Sequence, residues 1–217
     1  MAEAQQTPVK DHVYDGWFYR HFIDPSLAGI RRRIGKLVPE GSKVLDVGCG
    51  SGDQLLYLAP QIEYGLGVEL SQRMIQCSQR QAKRRGIANC SFELRDAAHL
   101  DHLNDGKFDV AMGSMVIHEM PEASRLPVLT EMKRLGKTII LADWIYPQPS
   151  YWKKAGTNIV EWAAGREHYA GFRSFMAAGG IPPLLNTVGL EILETQITSK
   201  GTIQLWVCKP HFNKPHI

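Results

Sequence analysis

The chain of 217 residues has few features of a membrane, secreted or metal-stabilised protein. No apolar run approaches the ~18 residues that span a bilayer, and residues 1–6 lack the basic and apolar regions of a signal peptide. The four cysteines (Cys49, Cys77, Cys90 and Cys208) form no Cys-x-x-Cys pair, which argues against a zinc site or a disulfide framework. We therefore expect a cytoplasmic chain with reduced thiols and no metal.

The chain also lacks a large excess of charge of either sign, because its 25 Lys and Arg residues are nearly balanced by 22 Asp and Glu residues. The resulting net charge of +3 does not favour nucleic acid as a partner. Two basic clusters, at 31–36 and 80–85, are interpreted as solvated helix faces, with an anionic substrate or RNA as the alternative. A hydrophobic share of 44% is typical of one ordinary globular domain.

Apolar runs alternate with segments of helical periodicity along the chain. The sequence predicts strands at 44–48, 64–70, 90–95, 107–113 and 137–144, helices at 26–37, 52–60, 71–85, 125–135, 151–165 and 172–188, and a terminal hairpin at 190–198 and 202–209. Ser71 and Gly86 are expected to cap one helix, and Pro127 to lie in the first turn of another. This alternation implies an α/β fold with a mostly parallel sheet and an antiparallel C-terminal element.

Three glycines and an acid follow the first predicted strand, in Asp46-Val47-Gly48-Cys49-Gly50-Ser51-Gly52-Asp53. Alternating glycines let the backbone turn tightly and approach a ligand closely. The spacing is Gly-x-Gly-x-Gly, with Asp53 where a dinucleotide fingerprint would have its last glycine. This departure weakens the prediction of a nicotinamide cofactor.

Acids also follow the second and third strands. Glu69 ends the second strand, and an acid ~20 residues beyond a glycine loop commonly binds both ribose hydroxyls of an adenine nucleoside. Asp96 follows the third strand, where it could accept a hydrogen bond from the adenine amine. The alternative for Glu69 is a surface residue that caps the helix beginning at Ser71. The alternative for Asp96 is a cap of the turn at 97–103. Three acids after three successive strands are far more specific than any one of them.

These residues resemble class I S-adenosylmethionine-dependent methyltransferases. Val44–Asp53 resembles the first motif of that family, Glu69 its ribose acid, Arg95-Asp96-Ala97 its adenine motif and Phe108–Gly113 its fourth strand. Tyr14-Asp15 and Gly179-Gly180 resemble the small-molecule group that includes the ubiquinone and menaquinone C-methyltransferases (methyltransferase type 11). Two segments depart from the family: Arg134-Leu135-Gly136-Lys137 replaces the usual Pro-Gly-Gly turn, and Ser114–Glu119 lacks the Asn-Pro-Pro-Tyr pattern of amino-directed nucleic-acid methylases.

The resemblance implies a Rossmann-like, mostly parallel seven-stranded sheet with an antiparallel C-terminal strand and helices on both faces. It implies a single methyltransferase domain over residues 1–217. We expect an N-terminal arm and helix at 1–40, a cofactor-binding core at 41–144, an inserted lid at 145–171, and a C-terminal helix and hairpin at 172–217. The implied reaction is methyl transfer from S-adenosylmethionine to a small-molecule acceptor, which yields S-adenosylhomocysteine.

The implied cofactor site combines the glycine loop, the acids and two tyrosines of the N-terminal arm. Its expected residues are Asp46, Gly48, Cys49, Gly50, Gly52, Glu69, Leu70, Asp96, Ala97, Tyr14 and Tyr19. By the resemblance, the Gly48–Gly52 backbone would cradle the amino-acid part of the cofactor, and Asp46 would hold its ammonium group or order the loop. Cys49 is expected to be a small packed residue, because no thiolate-stabilising partner is evident.

Aromatic residues are dense in the N-terminal arm and after the fifth strand. We expect both segments to cover the active site, since aromatic walls shield a reaction and attract a cationic donor, with ordinary packing as the alternative. The expected substrate-pocket residues are Trp17, Met115, His118, Trp144, Tyr146 and Trp152. His118 is the first candidate for a general base, with an ordinary imidazole pKa near ~6.5. Glu119, Asp143 and His168 are further candidates, and a structural histidine is the alternative for His118.

Three other functions stay open from the sequence. A nicotinamide-dependent oxidoreductase is disfavoured by the glycine spacing and by Asp53. A non-catalytic S-adenosylmethionine-binding protein stays open, because the sequence contains no assured general base. An RNA methyltransferase would bind RNA through the basic clusters in a salt-dependent way. We expect a monomer or a homodimer.

Overall fold

The computed structural model describes residues 24–150, 155, 157–158, 161–162, 165–198 and 201–211. Tyr14, Trp17, Tyr19 and Trp152 lie outside the described residues, so the roles assigned to them stay predictions. The part of the lid that the N-terminal arm is expected to form, and much of the helix predicted at 151–165, also lie outside the described residues.

Seven strands form a mostly parallel sheet, and helices connect most of the consecutive strands. The strands are β1 (Lys43–Val47), β2 (Tyr64–Glu69), β3 (Cys90–Leu94), β4 (Phe108–Ser114), β5 (Gly136–Trp144), β6 (Leu190–Ile197) and β7 (Ile203–Pro210). The helices are α1 (Asp24–Leu37), α2 (Asp53–Leu58), α3 (Gln72–Arg85), α4 (Glu122–Leu135), α5 (Arg166–Ala177) and α6 (Ile181–Val188). The predicted α/β fold class is confirmed, and none of the described helices combines the length and apolarity needed to cross a bilayer.

The chain divides into two compact units, one that ends at His102 and one that begins at Leu103. In the first unit, three parallel strands stand in the order β3-β2-β1. Parallel register places Val47 beside Val68, and Glu69 beside Leu94. The carboxyl ends of the three strands therefore meet at one edge of the sheet, where the sequence has its acids.

In the second unit, the strand order is β4-β5-β7-β6, with β7 antiparallel to both of its neighbours. The terminal hairpin is thus confirmed. Arg125 of α4 is 1% exposed, and its guanidinium donates to the Gly171 carbonyl and to Ser174 Oγ, both at 2.7 Å. The same group lies 5.6 Å from the Phe175 ring centroid. These contacts hold α4 against α5 with a buried charge that is hydrogen-bonded.

The predicted caps of α3 are confirmed. Ser71 Oγ accepts a hydrogen bond from Met74 N at 3.4 Å, and Gly86 ends the helix in the left-handed conformation with φ of 66°. Its N–H bonds back to the last turn, as in a common helix C-cap.

The prediction for Pro127 was wrong, because α4 begins at Glu122 and not near 125. Pro121 precedes the helix with φ of −52° and ψ of 143°, an extended conformation that sets the boundary. Pro127 therefore lies inside the helix, where its ring lacks an N–H donor. One further boundary also differs, because α5 begins at Arg166 and not at 172. Residues 97–103 contain turns, in agreement with the prediction for that segment.

Two glycines provide a matched test of the packing. A Cβ at Gly136 of β5 would lie 2.7 Å from Ala111 Cβ and 2.9 Å from Ala111 N of β4. Because backbone cannot move aside cheaply, Gly136→Ala should lower the free energy of unfolding by about 1–3 kcal/mol. A Cβ at Gly29 of α1 would meet nothing within 4 Å, so Gly29→Ala should raise it by ~0.5–1 kcal/mol. Urea denaturation measures the free energy of unfolding of both variants. Equal changes in the two variants would contradict the close packing of Gly136 against β4.

Candidate functional site

The loop after β1 turns tightly through glycines in the left-handed region. Gly48, Gly50 and Gly52 have φ values of 66°, 51° and 78°, which other residues rarely adopt. The Gly48 N–H donates to the Val68 carbonyl at 2.9 Å, which ties the loop to the end of β2. At Gly52, a Cβ would also lie 2.6 Å from the Phe92 ring, so both backbone conformation and packing require glycine there.

The Glu69 carboxylate joins this loop to the turn after β2. One oxygen accepts from Gly50 N at 3.2 Å, and the other accepts from Leu70 N at 2.8 Å and Ser71 N at 3.0 Å. Backbone donors from two loops thus fix the orientation of a partly exposed carboxylate at the edge of the sheet. A carboxylate oxygen can accept more than one hydrogen bond, so this arrangement is compatible with hydroxyl donors from a ligand.

Asp46 is the orphaned polar group of the first unit. It is 2% exposed, and its Oδ2 has no hydrogen-bond partner among the described residues. Burial, together with the nearby charge of Glu69, raises the pKa of Asp46 from the usual 3.8 to about 8. Buried polar atoms are rarely unsatisfied, and each exception calls for an explanation. A ligand with an ammonium group would supply both the donor and the opposite charge.

Asp96 lies in the turn after β3, beside the end of β2. The Arg95 N–H donates to the Glu69 carbonyl at 3.0 Å, which brings this segment to the same edge. Asp96 Oδ1 accepts from Ala98 N at 2.9 Å, so the side chain does cap a turn, and Ala97 is buried. The structure therefore brings together, within the first unit, all the predicted cofactor residues that it describes.

Cys49 packs inside the glycine loop. Burial, with the nearby charges of Asp46 and Glu69, raises the pKa of the Cys49 thiol well above its usual 9.0. A Cβ at Gly67 of β2 would lie 2.7 Å from the Cys49 sulfur, so the thiol fills the space that the glycine leaves. These properties favour the structural role expected for this cysteine.

In the second unit, His118 follows β4 and lies among carboxylates. It is 2% exposed; its Nδ1 is 2.8 Å from Asp143 Oδ1, and its Nε2 is 3.5 Å from Glu161 Oε2. The second Asp143 oxygen accepts from Ile117 N and His118 N at 3.1 and 3.2 Å. Burial alone would lower the pKa of His118, but the two carboxylates raise it well above 6.5. The two carboxylates therefore favour the protonated ring, and the role of His118 as a base stays a prediction.

His168 and Glu161 extend this network. His168 Nε2 lies 2.5 Å from Glu161 Oε2, and His168 Nδ1 lies 3.0 Å from Glu119 Oε2. Trp144 Nε1 donates to Glu161 Oε1 at 2.8 Å. Sequence reasoning named His168 and Glu119 as base candidates but missed Glu161. No local spacing indicates Glu161, because its partners come from β5, α5 and the loop after β4.

The predicted substrate-pocket residues that the structure describes differ in their environments. Met115 has φ of 56°, in the left-handed region, with its N–H donating to the Ala142 carbonyl at 2.7 Å. Non-glycine residues rarely adopt this conformation, and such strain is concentrated at functional sites. Trp144 is half-buried, and Tyr146 is 48% exposed. An open cleft of about 300 Å³ is lined by Gln148, Asn158, Tyr169, Phe172, Arg173 and Met176.

Comparisons with known proteins show which proteins this chain resembles in sequence and in fold. A family model described as a methyltransferase domain matches residues 44–138. The methyltransferase GfsG of Streptomyces halstedii is 29% identical over 92% of this chain and 73% of its own length. A ubiquinone biosynthesis O-methyltransferase of Leptothrix cholodnii is 28% identical over 56% of this chain and 52% of its own length. A crystal structure of an S-adenosylmethionine-dependent methyltransferase from Aquifex aeolicus has a similar fold, with a TM-score of 0.66, 18% identity, and coverage of 90% and 98% of the two chains.

The raised pKa of Asp46 predicts a pH-dependent effect of Asp46→Asn. The folded protein holds this proton more tightly than the unfolded chain, so wild type loses stability as pH rises from about 3.8 to about 8. The amide cannot ionise, and the variant should escape this loss. We expect similar melting temperatures near pH 4 and a variant that melts at least ~2–4 °C higher at pH 8 to 9. Thermal unfolding across pH measures this, and a variant less stable than wild type at pH 8 would contradict it.

Proposed function

We propose that this chain, a class I S-adenosylmethionine-dependent methyltransferase, methylates a hydroxyl oxygen of a small molecule and binds its cofactor at the carboxyl edge of β1, β2 and β3. The observation that carries the proposal is the buried, unpartnered Oδ2 of Asp46, which lies next to a glycine turn that Glu69 braces. An adenine nucleoside with an attached amino acid has the hydroxyls and the ammonium group that these two carboxylates can bind.

Each part of the proposed site has a counterpart in the cofactor. Glu69 would accept hydrogen bonds from the ribose hydroxyls, and Asp46 would pair with the ammonium group. The Gly48–Gly52 backbone and Cys49 would line the amino-acid part, and Leu70, Asp96 and Ala97 would contact the nucleoside. When bound, the cofactor supplies an electrophilic methyl group on a sulfonium. What remains for the protein is alignment of the acceptor and exclusion of water.

An oxygen acceptor is supported by the network in the second unit. Among the relatives, the Leptothrix cholodnii enzyme is by name an O-methyltransferase. A hydroxyl must lose its proton during methylation, whereas a neutral amine or a thiolate has less need of help. Among the described residues, the histidines and carboxylates around His118 form a cluster with that capacity. We propose that His118 takes part through this cluster, with Met115, Trp144 and Tyr146 as pocket residues.

The alternatives have less support. Arg85, in the second basic cluster, is engaged by Asp53 at 3.1 Å and by the Gln81 side chain at 2.7 Å, which favours a solvated face over an RNA surface. Asp53 itself stands where a dinucleotide fingerprint would have glycine, which disfavours a nicotinamide cofactor. The four free thiols are compatible with a cytoplasmic location, which we propose together with a monomeric or homodimeric state.

Calorimetric titration with S-adenosylhomocysteine tests the cofactor site. Glu69→Ala removes an acceptor of hydrogen bonds that are worth ~1.5 kcal/mol or more each, so binding should weaken at least ~10-fold. Glu63→Ala is the matched control, because Glu63 lies in the same unit but pairs at the surface with Lys43 at 3.2 Å. The control should bind as wild type does.

Two results would contradict the proposed function. One is equal affinity of Glu69→Ala and wild type for S-adenosylhomocysteine. The other is binding of NADH in a parallel titration with no binding of S-adenosylhomocysteine, which would indicate redox chemistry instead.

A further inference from the structure

We propose that His118, Glu161 and His168 form a binding site for one divalent transition-metal ion such as Zn²⁺. Two imidazoles and one carboxylate are a common ligand set for zinc, and the set leaves one coordination position open. Binding of the ion is independent of the proposed function. Its use in activating a hydroxyl acceptor at the open position rests on that function.

The three ligand atoms already converge. One ligand atom from each of the three residues lies within 4.8 Å of the other two. The imidazole nitrogens that approach Glu161 Oε2 are His118 Nε2 and His168 Nε2. The His118–Glu161 separation of 3.5 Å is close to the spacing of two ligands that each lie ~2.0–2.2 Å from a tetrahedral ion. The His168–Glu161 separation is 2.5 Å, which fits a shared proton and would widen when an ion replaces that proton.

Both histidines are held in the way that metal-binding histidines are held. His118 Nδ1 is 2.8 Å from Asp143 Oδ1, and His168 Nδ1 is 3.0 Å from Glu119 Oε2. Each carboxylate engages the ring nitrogen that faces away from Glu161 and leaves Nε2 directed toward the centre. In zinc sites, the ligating histidine typically donates its other N–H to such a carboxylate. A general base needs only one such pair, whereas this cluster repeats the arrangement on both histidines.

Glu161 is oriented as a ligand. Trp144 Nε1 donates to Glu161 Oε1 at 2.8 Å, so Oε2 is the oxygen that lies between the two imidazoles. Glu161 is 4% exposed and His118 is 2% exposed, whereas His168 is only partly buried and gives the cluster a side open to solvent. An ion therefore has buried ligands and a path of entry.

The charge of the cluster also suits a dication. Three carboxylates (Glu119, Asp143 and Glu161) surround two histidines. Imidazoles bind a metal ion in their neutral form, so these carboxylates would supply the negative charge that a bound dication requires.

Titration of the chelator-treated full chain with Zn²⁺, and separately with Co²⁺, tests the site. We expect one equivalent to bind, a rise in melting temperature with added metal, and a visible absorption band of tetrahedral Co²⁺. His168→Ala and Glu161→Gln should each lose more affinity than the ~10–100-fold expected from removal of an outer carboxylate in Glu119→Gln. The control is His102→Ala, which removes an exposed histidine 3.4 Å from the Glu93 carboxylate and should bind metal as wild type does.

The outcomes separate this inference from the proposed function. Circular dichroism and S-adenosylhomocysteine titration check that each variant is folded, and Glu119→Gln, which alters a partly exposed side chain, provides a test if Glu161→Gln does not fold. Absence of Zn²⁺ and Co²⁺ binding by wild type, or equal losses in His168→Ala and His102→Ala, would overturn the metal site. Metal binding without S-adenosylhomocysteine binding would contradict only the proposed function.

Discussion

Parallel pairing of β1, β2 and β3 is the constraint on which the candidate cofactor site depends. Because the register places Val47 beside Val68 and Glu69 beside Leu94, residues far apart in the chain reach one edge of the sheet. There the Glu69 carboxylate binds backbone N–H groups of the glycine loop and of its own turn. The same edge leaves Asp46 buried with an unpartnered oxygen. A stable fold therefore carries an electrostatic cost at one position, which a cationic ligand group would offset.

In the second unit, the buried carboxylates around His118 have partners, in contrast to the buried oxygen of Asp46. Around His118 every described carboxylate meets a ring nitrogen, so the charges are paired and the pKa of Glu161 is lowered to about 2 because contacts with His118 and His168 outweigh its burial. Breaking such a buried network is costly, because it leaves an uncompensated charge. Oδ2 of Asp46 lacks a hydrogen-bond partner among the described residues, whereas the His118 cluster is the metal site that we propose. A ligand at each position would account for both arrangements.

The strands and the glycine loop could be predicted from the sequence because their signals are local. β1 and β2 are short apolar runs, the left-handed angles of the loop require glycines, and Ser71 and Gly86 mark the ends of α3. Pro127 misled the prediction, since the boundary of α4 is set by Pro121. Glu161 and the left-handed Met115 could not be predicted, because a tertiary contact and a strained backbone leave no periodic pattern. The aromatic arm lies outside the described residues, so its role stays a prediction.

Titration of the Asp46 carboxyl group by carbon-13 NMR, with and without S-adenosylhomocysteine, tests most directly whether the cofactor binds at this edge of the sheet. We expect a pKa of about 8 in the free protein, because burial and the charge of Glu69 raise it. An ammonium group bound to Asp46 should lower that pKa by at least ~1 unit, because an opposite charge stabilises the carboxylate. A pKa that stays near 8 in a saturated complex would show that the cofactor does not pair with Asp46, and would contradict the assignment of this edge as the cofactor site.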